Sequence, residues 1–202
     1  MSATEESTQV DAPAVAVRRG KRRLGPIVAG AVGIVLALFV FLLATRDPAV
    51  NRLSKSPLIG KAAPTVTGAT LDGQQFDLSS FRGRWVMLNF FASWCVPCQQ
   101  EHPELVSFSR RHAQIGDAEV VSIVFNDTAA EAKAYFDKNG GEWPVITDTA
   151  GRYASSYGVS APPETYIIDP DGIVRQKFIG AVTTDGLDVQ LAALQQIRSG
   201  GS

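Results

Sequence analysis

One stretch of the sequence is poorly suited to a globular domain. Residues 24–45 read LGPIVAGAVGIVLALFVFLLAT, which is 22 consecutive residues without a charged side chain. A helix needs about 20 apolar residues to cross the hydrocarbon core of a membrane. A buried helix of a soluble domain is the alternative, but this run has no polar face to turn toward solvent. The sequence therefore predicts a transmembrane helix at 24–45 and a folded domain built from the residues after it.

The flanks of this run favour an uncleaved signal anchor. A secretory signal peptide has a shorter apolar core of about 7–15 residues and ends at small residues, whereas Arg46, Asp47 and Pro48 follow here. A cleaved signal peptide is the alternative. The basic residues that precede the run are Arg18, Arg19, Lys21, Arg22 and Arg23. Because positive charge favours the cytoplasmic side, we expect a cytoplasmic tail at 1–23, one pass through the inner membrane, and an extracytoplasmic domain.

The overall charge gives no sign of a nucleic-acid partner. The chain has 19 Lys and Arg against 20 Asp and Glu, and nucleic-acid-binding domains carry a basic excess. Residues 46–63 contain Pro48, Ser54, Ser56, Pro57 and Gly60 and are predicted to form a linker. Residues 64–198 are then predicted to form one folded domain.

Strand and helix signals alternate along this domain. The apolar runs at 84–91 and 119–125 predict buried strands, and residues 96–112 and 128–139 have helical spacing. The other predicted elements are a hairpin in 65–78, a strand at 144–147, a helix at 152–157, a second hairpin in 164–180 and a helix at 185–198. This order predicts an α/β sandwich with a mixed sheet.

Cys95 and Cys98 are the only cysteines, in the stretch NFFASWCVPCQQEH. A zinc site needs four ligands, and only His102 and His112 could complete it. Attachment of a c-type haem requires His directly after the second Cys, where Gln99 stands. A purely structural disulfide would close a loop too short to remove much entropy from the unfolded chain. Zinc and a structural disulfide are thus weak alternatives to a redox-active dithiol, which needs neither metal nor cofactor.

The redox hypothesis has support from the local sequence. The pair follows a predicted buried strand and opens a predicted helix, where free N–H groups and the helix dipole stabilise a thiolate at Cys95. Pro97 falls in the first turn, where a missing N–H costs nothing. Cys98 is one turn deeper. Cys95 can therefore attack a disulfide, and Cys98 can resolve the mixed disulfide that results.

Two stretches carry a family resemblance. NFFASWCVPCQQEHPEL and GVSAPPETYIIDPDGIV together resemble the thioredoxin superfamily, and within it the membrane-anchored cytochrome c biogenesis thioredoxins, the group of CcmG/DsbE, ResA and TlpA. The resemblance covers residues 57–197. It implies a thioredoxin-like fold with an N-terminal β-hairpin and a strand–helix insertion near residues 115–145. It also implies a thiol–disulfide oxidoreductase that reduces apocytochrome c and is re-reduced by a membrane electron donor.

The resemblance assigns roles to four residues of these stretches. Trp94 matches the aromatic residue that precedes the dithiol, Cys95 matches the nucleophile, and Cys98 matches the resolving thiol. Pro163 matches the cis-proline that shapes the groove for the substrate backbone. Pro162 departs from the pattern, because the family usually has a small residue there.

Acidic partners of the dithiol are implied separately. Asn89 stands where plain thioredoxin has a buried Asp, and an amide cannot shuttle a proton. Glu101 follows Cys98 by three residues on the same helix face and matches an acid that the family uses near the dithiol, where a carboxylate would disfavour the Cys95 thiolate and could manage proton transfer. Glu164 matches a second family acid beside Pro163. The alternative is that both carboxylates are solvated surface charges.

Other activities compete with reduction of apocytochrome c. The same dithiol could oxidise exported proteins, because the direction of electron flow depends on a reduction potential that the sequence does not supply. A non-catalytic module that binds an unfolded apoprotein is a further alternative. Peroxide reduction is disfavoured, because Ala92 stands where peroxiredoxins have Thr or Ser before their reactive Cys.

Overall fold

A computed structural model describes residues 24–44, 52–148 and 150–200. The predicted tail at 1–23, position 45 and residues 46–51 lie outside these ranges. Contacts divide the chain between residues 47 and 48. The first unit contains helix α1 (Leu24–Ala44), and its side chains at 28–41 are exposed. Within the described ranges we find no helix that is both long enough and apolar enough to cross a membrane.

The second unit is built around a mixed sheet. Its elements are β1 (Arg52–Leu53), β2 (Thr67–Ala69), β3 (Gln75–Asp77), a 3₁₀ turn (Leu78–Phe81), β4 (Trp85–Phe91), α2 (Val96–Ile115), β5 (Ala118–Val124), α3 (Ala129–Asn139), β6 (Val145–Thr147), α4 (Arg152–Tyr157), β7 (Glu164–Ile168), β8 (Val174–Ile179) and α5 (Thr184–Gly200). Six strands pair in the order β1-β8-β7-β4-β5-β6, and β2 and β3 form a separate hairpin. β4 is parallel to β5 and antiparallel to β7, so the predicted mixed sheet is confirmed.

The central strand β4 is buried on both faces. Along it Met87 and Phe91 pack in one apolar cluster, which also contains Cys95 and Cys98. Val86, Leu88 and Phe90 pack in the other cluster. Successive side chains of a strand point to opposite faces, so the continuous apolar run contributes side chains to both clusters. We call these the dithiol face and the opposite face of the sheet.

The region of the predicted strand–helix insertion, near residues 115–145, contains β5 followed by α3. Thr128 begins α3 as its N-cap, because its side chain accepts a hydrogen bond from Glu131 N. After α3 comes β6, which extends the sheet by pairing in parallel with β5.

Part of the predicted linker belongs to the sheet instead. Arg52–Leu53 forms edge strand β1 and pairs antiparallel with β8. Further along, Gly60 N donates to Val174 O at 2.8 Å and Ala63 N donates to Gly172 O at 2.9 Å. These bonds are made by backbone groups, whose partners a sequence pattern does not specify.

Candidate functional site

The two cysteines lie where β4 ends and α2 begins. Cys95 is the N-cap of α2, and its Sγ accepts a hydrogen bond from Cys98 N at 3.2 Å. A disulfide joins the two residues, whose Cα atoms are 5.2 Å apart. Both side chains are buried in this oxidised form. The predicted placement of Cys95 at a helix N-terminus therefore agrees with the structure, and free N–H groups there would stabilise its thiolate.

Trp94 presents an apolar surface beside Cys95. Its side chain is 55% exposed, yet its position is fixed because Nε1 donates a hydrogen bond to Asn126 O at 3.1 Å. The backbone of the preceding residue is also fixed, since Ser93 N donates to Asp127 Oδ2 at 2.6 Å. An exposed aromatic ring that is held in place suits contact with a partner protein.

A loop from α4 to β7 reaches the dithiol from the other side. The Pro162–Pro163 peptide bond is cis, as the resemblance implies for Pro163. Pro162 O lies 3.5 Å from Cys95 Sγ. Gly180 N donates to Pro163 O at 2.9 Å, so the loop is bonded to the end of β8. In the reduced protein a thiol at Cys95 could donate to the Pro162 carbonyl oxygen.

Glu101 is buried on the dithiol face. It is only 1% exposed, so a solvated surface role is wrong for this residue. Its Oε1 accepts from Asn89 Nδ2 at 2.8 Å and its Oε2 accepts from Val182 N at 3.0 Å. Burial raises the pKa of Glu101 to about 8, although both hydrogen bonds work in the opposite direction. The carboxyl group is therefore mostly protonated at neutral pH.

Asn89 has a role that the sequence did not reveal. Its Nδ2 donates both to Glu101 and to Thr165 Oγ1, the latter at 3.0 Å. The amide group does not titrate, so it cannot replace an aspartate in proton transfer. It instead holds the carboxyl group of Glu101 against the sheet, because β4 and β7 place Asn89 directly opposite Thr165.

Glu164 is also buried, but on the opposite face of the sheet. It is 3% exposed, so the surface alternative is wrong here too. Its Oε2 lies 2.7 Å from Lys177 Nζ, and its Oε1 accepts from Ser160 N at 3.2 Å. Burial works to lower the pKa of Lys177, but its bonds to Glu164 and Tyr166 outweigh that and hold the pKa above its usual value.

The structure thus adds residues that the sequence reasoning missed. Lys177 lies in the predicted strand IVRQKFIG, and a lysine on a strand of a buried sheet was a weak signal, because Arg175 in the same strand is charged too. Thr165 and Val182 gave no comparable signal, because a hydroxyl in a strand and a backbone N–H in a loop are both ordinary features.

The two histidines make contacts with groups other than the cysteines. The ring of His102 packs against aromatic side chains, its Nε2 lies 2.9 Å from Gly140 O, and burial lowers its pKa. His112 lies between two carboxylates, with Nδ1 2.6 Å from Asp117 Oδ1 and Nε2 3.0 Å from Asp188 Oδ1. With the cysteines in a disulfide, these contacts disfavour the zinc alternative.

Comparison with known proteins agrees with this geometry. The sequence pattern of the AhpC/TSA family matches residues 59–177. The chain belongs to the AhpC/TSA family. Within this family it is 30% identical over 165 residues to the thiol-disulfide oxidoreductase ResA of Bacillus thuringiensis subsp. konkukian, covering 82% of this chain and 89% of that protein. It is 32% identical over 165 residues to the thiol:disulfide interchange protein DsbE of Allochromatium vinosum, covering 80% and 86%.

Solved structures show the same fold. A thiol:disulfide interchange protein of the thioredoxin family from Chlorobium tepidum matches with a TM-score of 0.59 and 26% identity, over 67% of this chain and 94% of that one. A secreted Mycobacterium tuberculosis disulfide oxidoreductase, described as homologous to E. coli DsbE, matches with a TM-score of 0.56 and 25% identity, over 63% and 95%. This member of the AhpC/TSA family is therefore a thiol–disulfide oxidoreductase of the ResA and DsbE type with a thioredoxin-like fold.

Proposed function

We propose that this oxidoreductase is a membrane-tethered, extracytoplasmic reductase that opens the disulfide in the haem-binding Cys-x-x-Cys-His motif of apocytochrome c. The observation that carries the proposal is the buried carboxyl group of Glu101, three residues after the buried Cys98. Its pKa of about 8 is much closer to that of a free thiol, about 8.5, than the pKa of an ordinary glutamate is. Glu101 is therefore better suited than an ordinary glutamate to accept a proton from a thiol.

The first step uses Cys95. Its thiolate attacks one sulfur of the substrate disulfide, forming a mixed disulfide and releasing the other substrate sulfur as a thiolate that takes up a proton. Stabilisation at the N-terminus of α2 supplies the thiolate. The exposed ring of Trp94 and the loop with Pro163 flank Cys95, so they are placed to hold the substrate chain.

The second step uses Cys98 and Glu101. The Cys98 thiol gives its proton to the ionised fraction of Glu101, and the resulting thiolate attacks Cys95 Sγ. The bond from Cys95 to the substrate breaks, and the second substrate sulfur leaves and is protonated. The substrate gains two electrons and two protons, and the enzyme ends with the Cys95–Cys98 disulfide that the structure contains.

Tethering is supported by the sequence at the N-terminus. The run at 24–45 has no charged side chain over 22 residues, about the number that a spanning helix needs, and the basic residues at 18–23 precede it. The compartment outside the cytoplasm lacks a strong pool of reducing thiols, so a membrane protein would have to supply electrons to the Cys95–Cys98 disulfide.

A phosphatase fused after residue 202 tests this topology, because it should be active only outside the cytoplasm. Equal activity of a fusion placed before residue 24 would contradict it.

Trapping tests the substrate. In Cys98→Ser the mixed disulfide cannot be resolved, so apocytochrome c peptides with the Cys-x-x-Cys-His motif should accumulate on Cys95. The matched control Cys95→Ser should trap nothing. Adducts made up only of other exported proteins would contradict the proposed substrate. Full cytochrome c assembly with both single variants would instead support a non-catalytic binding module.

The reduction potential tests the direction of electron flow. We expect the Cys95–Cys98 couple to be clearly more reducing than strong disulfide-forming oxidants, whose potential is about −120 mV. Equilibration with glutathione buffers, followed by tryptophan fluorescence, measures this value. A potential close to that of the oxidants would favour the alternative in which the protein forms disulfides in exported proteins.

A further inference from the structure

A buried ion pair lies behind the dithiol, on the opposite face of the sheet. Lys177 is 6% exposed and Glu164 is 3% exposed, and their charged atoms are 2.7 Å apart. Lys177 Nζ also lies 5.1 Å from the centre of the Tyr166 ring. Removing two charges from water is costly, and apolar residues of similar size often serve stability as well or better. A gain in stability therefore does not explain why an ion pair occupies this position.

The pair is bonded to the loop that approaches the dithiol. Lys177 Nζ donates to Gly158 O at 3.3 Å, and Glu164 Oε1 accepts from Ser160 N at 3.2 Å. Gly158 and Ser160 begin the loop, and Glu164 ends it. Both partners of the ion pair thus attach to the same short segment, one through a carbonyl and the other through an N–H group.

The far side of this loop meets the reactive cysteine. Pro162 O lies 3.5 Å from Cys95 Sγ. A carbonyl oxygen accepts a hydrogen bond from a thiol but repels a thiolate. The position of this oxygen therefore shifts the balance between the two forms of Cys95 toward the thiol.

We propose that Lys177 is a positioning residue which, through Glu164 and Gly158, holds the 158–163 loop so that the Pro162 carbonyl oxygen stays beside Cys95 and favours its thiol form. This inference rests on the proposed role of Cys95 as the nucleophile. Lys177 does not touch the dithiol, because it lies on the other face of the sheet. Loss of the ion pair should free the loop, move the carbonyl oxygen away and increase the thiolate fraction of Cys95.

A through-space effect of charge makes different predictions. Loss of the Lys177 cation would disfavour the Cys95 thiolate, whereas loss of the Glu164 anion would favour it. Loss of the loop attachment would instead increase the thiolate fraction of Cys95 in both cases. The other acidic groups near Cys95 are Glu101 on α2 and Asp127, which is bonded to Ser93 N. Both remain unchanged in the variants below.

Alkylation of Cys95 distinguishes these explanations. Full-length reduced protein is treated with iodoacetamide between pH 5 and 10, and mass spectrometry gives the rate at Cys95. In both Lys177→Met and Glu164→Met we expect the pH midpoint to fall, by about half a unit or more. Shifts in opposite directions, or no shift, would overturn the proposal.

The double variant Lys177→Met/Glu164→Met keeps the net charge and fills the site with apolar side chains, so it should fold even if a single variant does not. Its midpoint should still lie below that of the wild type. A return to the wild-type midpoint would show a charge effect and contradict the positioning role.

The control variant is Lys133→Met, which removes an exposed lysine that is paired with Asp137 and should leave the midpoint unchanged. If Cys95 of the wild type reacts no faster than Cys98, the proposed nucleophile is wrong. If Cys95 reacts faster and no variant shifts its midpoint, only the role of Lys177 is wrong.

Discussion

The buried carboxyl groups of Glu101 and Glu164 lie on opposite faces of one sheet and have different kinds of partner. On the dithiol face, Glu101 has amide and backbone N–H donors, and burial raises its pKa to about 8. On the opposite face, Glu164 has the cation of Lys177 at 2.7 Å. The exposures are nearly equal, at 1% and 3%. Depth alone therefore does not distinguish the two sites, and the partners of each carboxyl group do. The neutral group suits proton transfer, whereas the paired group suits attachment of a loop.

The largest effect should come from breaking the ion pair on one side only. Lys177→Met leaves the Glu164 carboxylate buried without its cation, so the free energy of unfolding should fall by about 3–5 kcal/mol. Urea denaturation measures the loss. Lys177→Met/Glu164→Met should recover most of it, because neither charge is then left unpaired. A double variant as unstable as the single one would show that the site depends on packing of the lysine chain.

Loss of the proton-transfer group should slow catalysis. In Glu101→Gln the shape is kept, but the side chain cannot take up the Cys98 proton. We expect resolution of the mixed disulfide to slow by about 100-fold, as is typical for loss of a general acid–base. Stopped-flow measurement of substrate release at pH 7 gives this rate. Glu142→Gln, at an exposed glutamate after α3, should retain the wild-type rate, and equal slowing there would contradict the assignment.

The raised pKa of Glu101 also makes the fold sensitive to pH. Between about pH 4.5 and 8 the unfolded chain has lost this proton while the folded chain keeps it. This group therefore lowers the free energy of unfolding by up to about 1.4 kcal/mol per pH unit as pH rises, with no further loss above pH 8. Urea denaturation at pH 5, 6 and 7 measures the slope. Glu101→Gln should have a smaller slope, and an unchanged slope would contradict the raised pKa.

The smallest effect should come from Asn89. Its N–H donor favours the ionised form of Glu101, so Asn89→Ala should raise the pKa of Glu101 above about 8, by roughly half a unit to one unit. Carbon-detected NMR of the glutamate carboxyl groups measures the titration. Ser107→Ala, on the exposed part of the same helix, should leave it unchanged. A lowered pKa would mean that the amide presents its oxygen to Glu101.

Elements of the fold could be predicted where the signal was local. The apolar run of β4, the hairpin in 164–180 and the helix at 152–157 are set by neighbouring residues, and the structure confirms them. The linker prediction differed from the structure at 52–63, because β1 is two residues long and pairs only through its backbone. A strand that short has no alternation from which a sequence pattern could predict it.

The two acids show the same limit at the site. Their positions were predicted from the family resemblance, but not their burial, because side chains near a helix N-terminus and after a proline are often solvated. The partners of Glu101 are Asn89, 12 positions away, and Val182, 81 positions away. Residues so far apart in the sequence come into contact only when the sheet forms.

The sequence by itself determined the local chemistry of the Cys95–Cys98 dithiol. Cys95, Pro97 and Cys98 lie within one helical turn, so local backbone geometry is enough to bring the two sulfurs together and place the first at a helix N-terminus. The tertiary structure alone decided the charges around them. The register of β4, β7 and β8 places Asn89 on the face that Glu101 of α2 packs against, and it places Glu164 and Lys177 on the opposite face. Burial raises the pKa of Glu101, whereas Glu164 lies beside a cation.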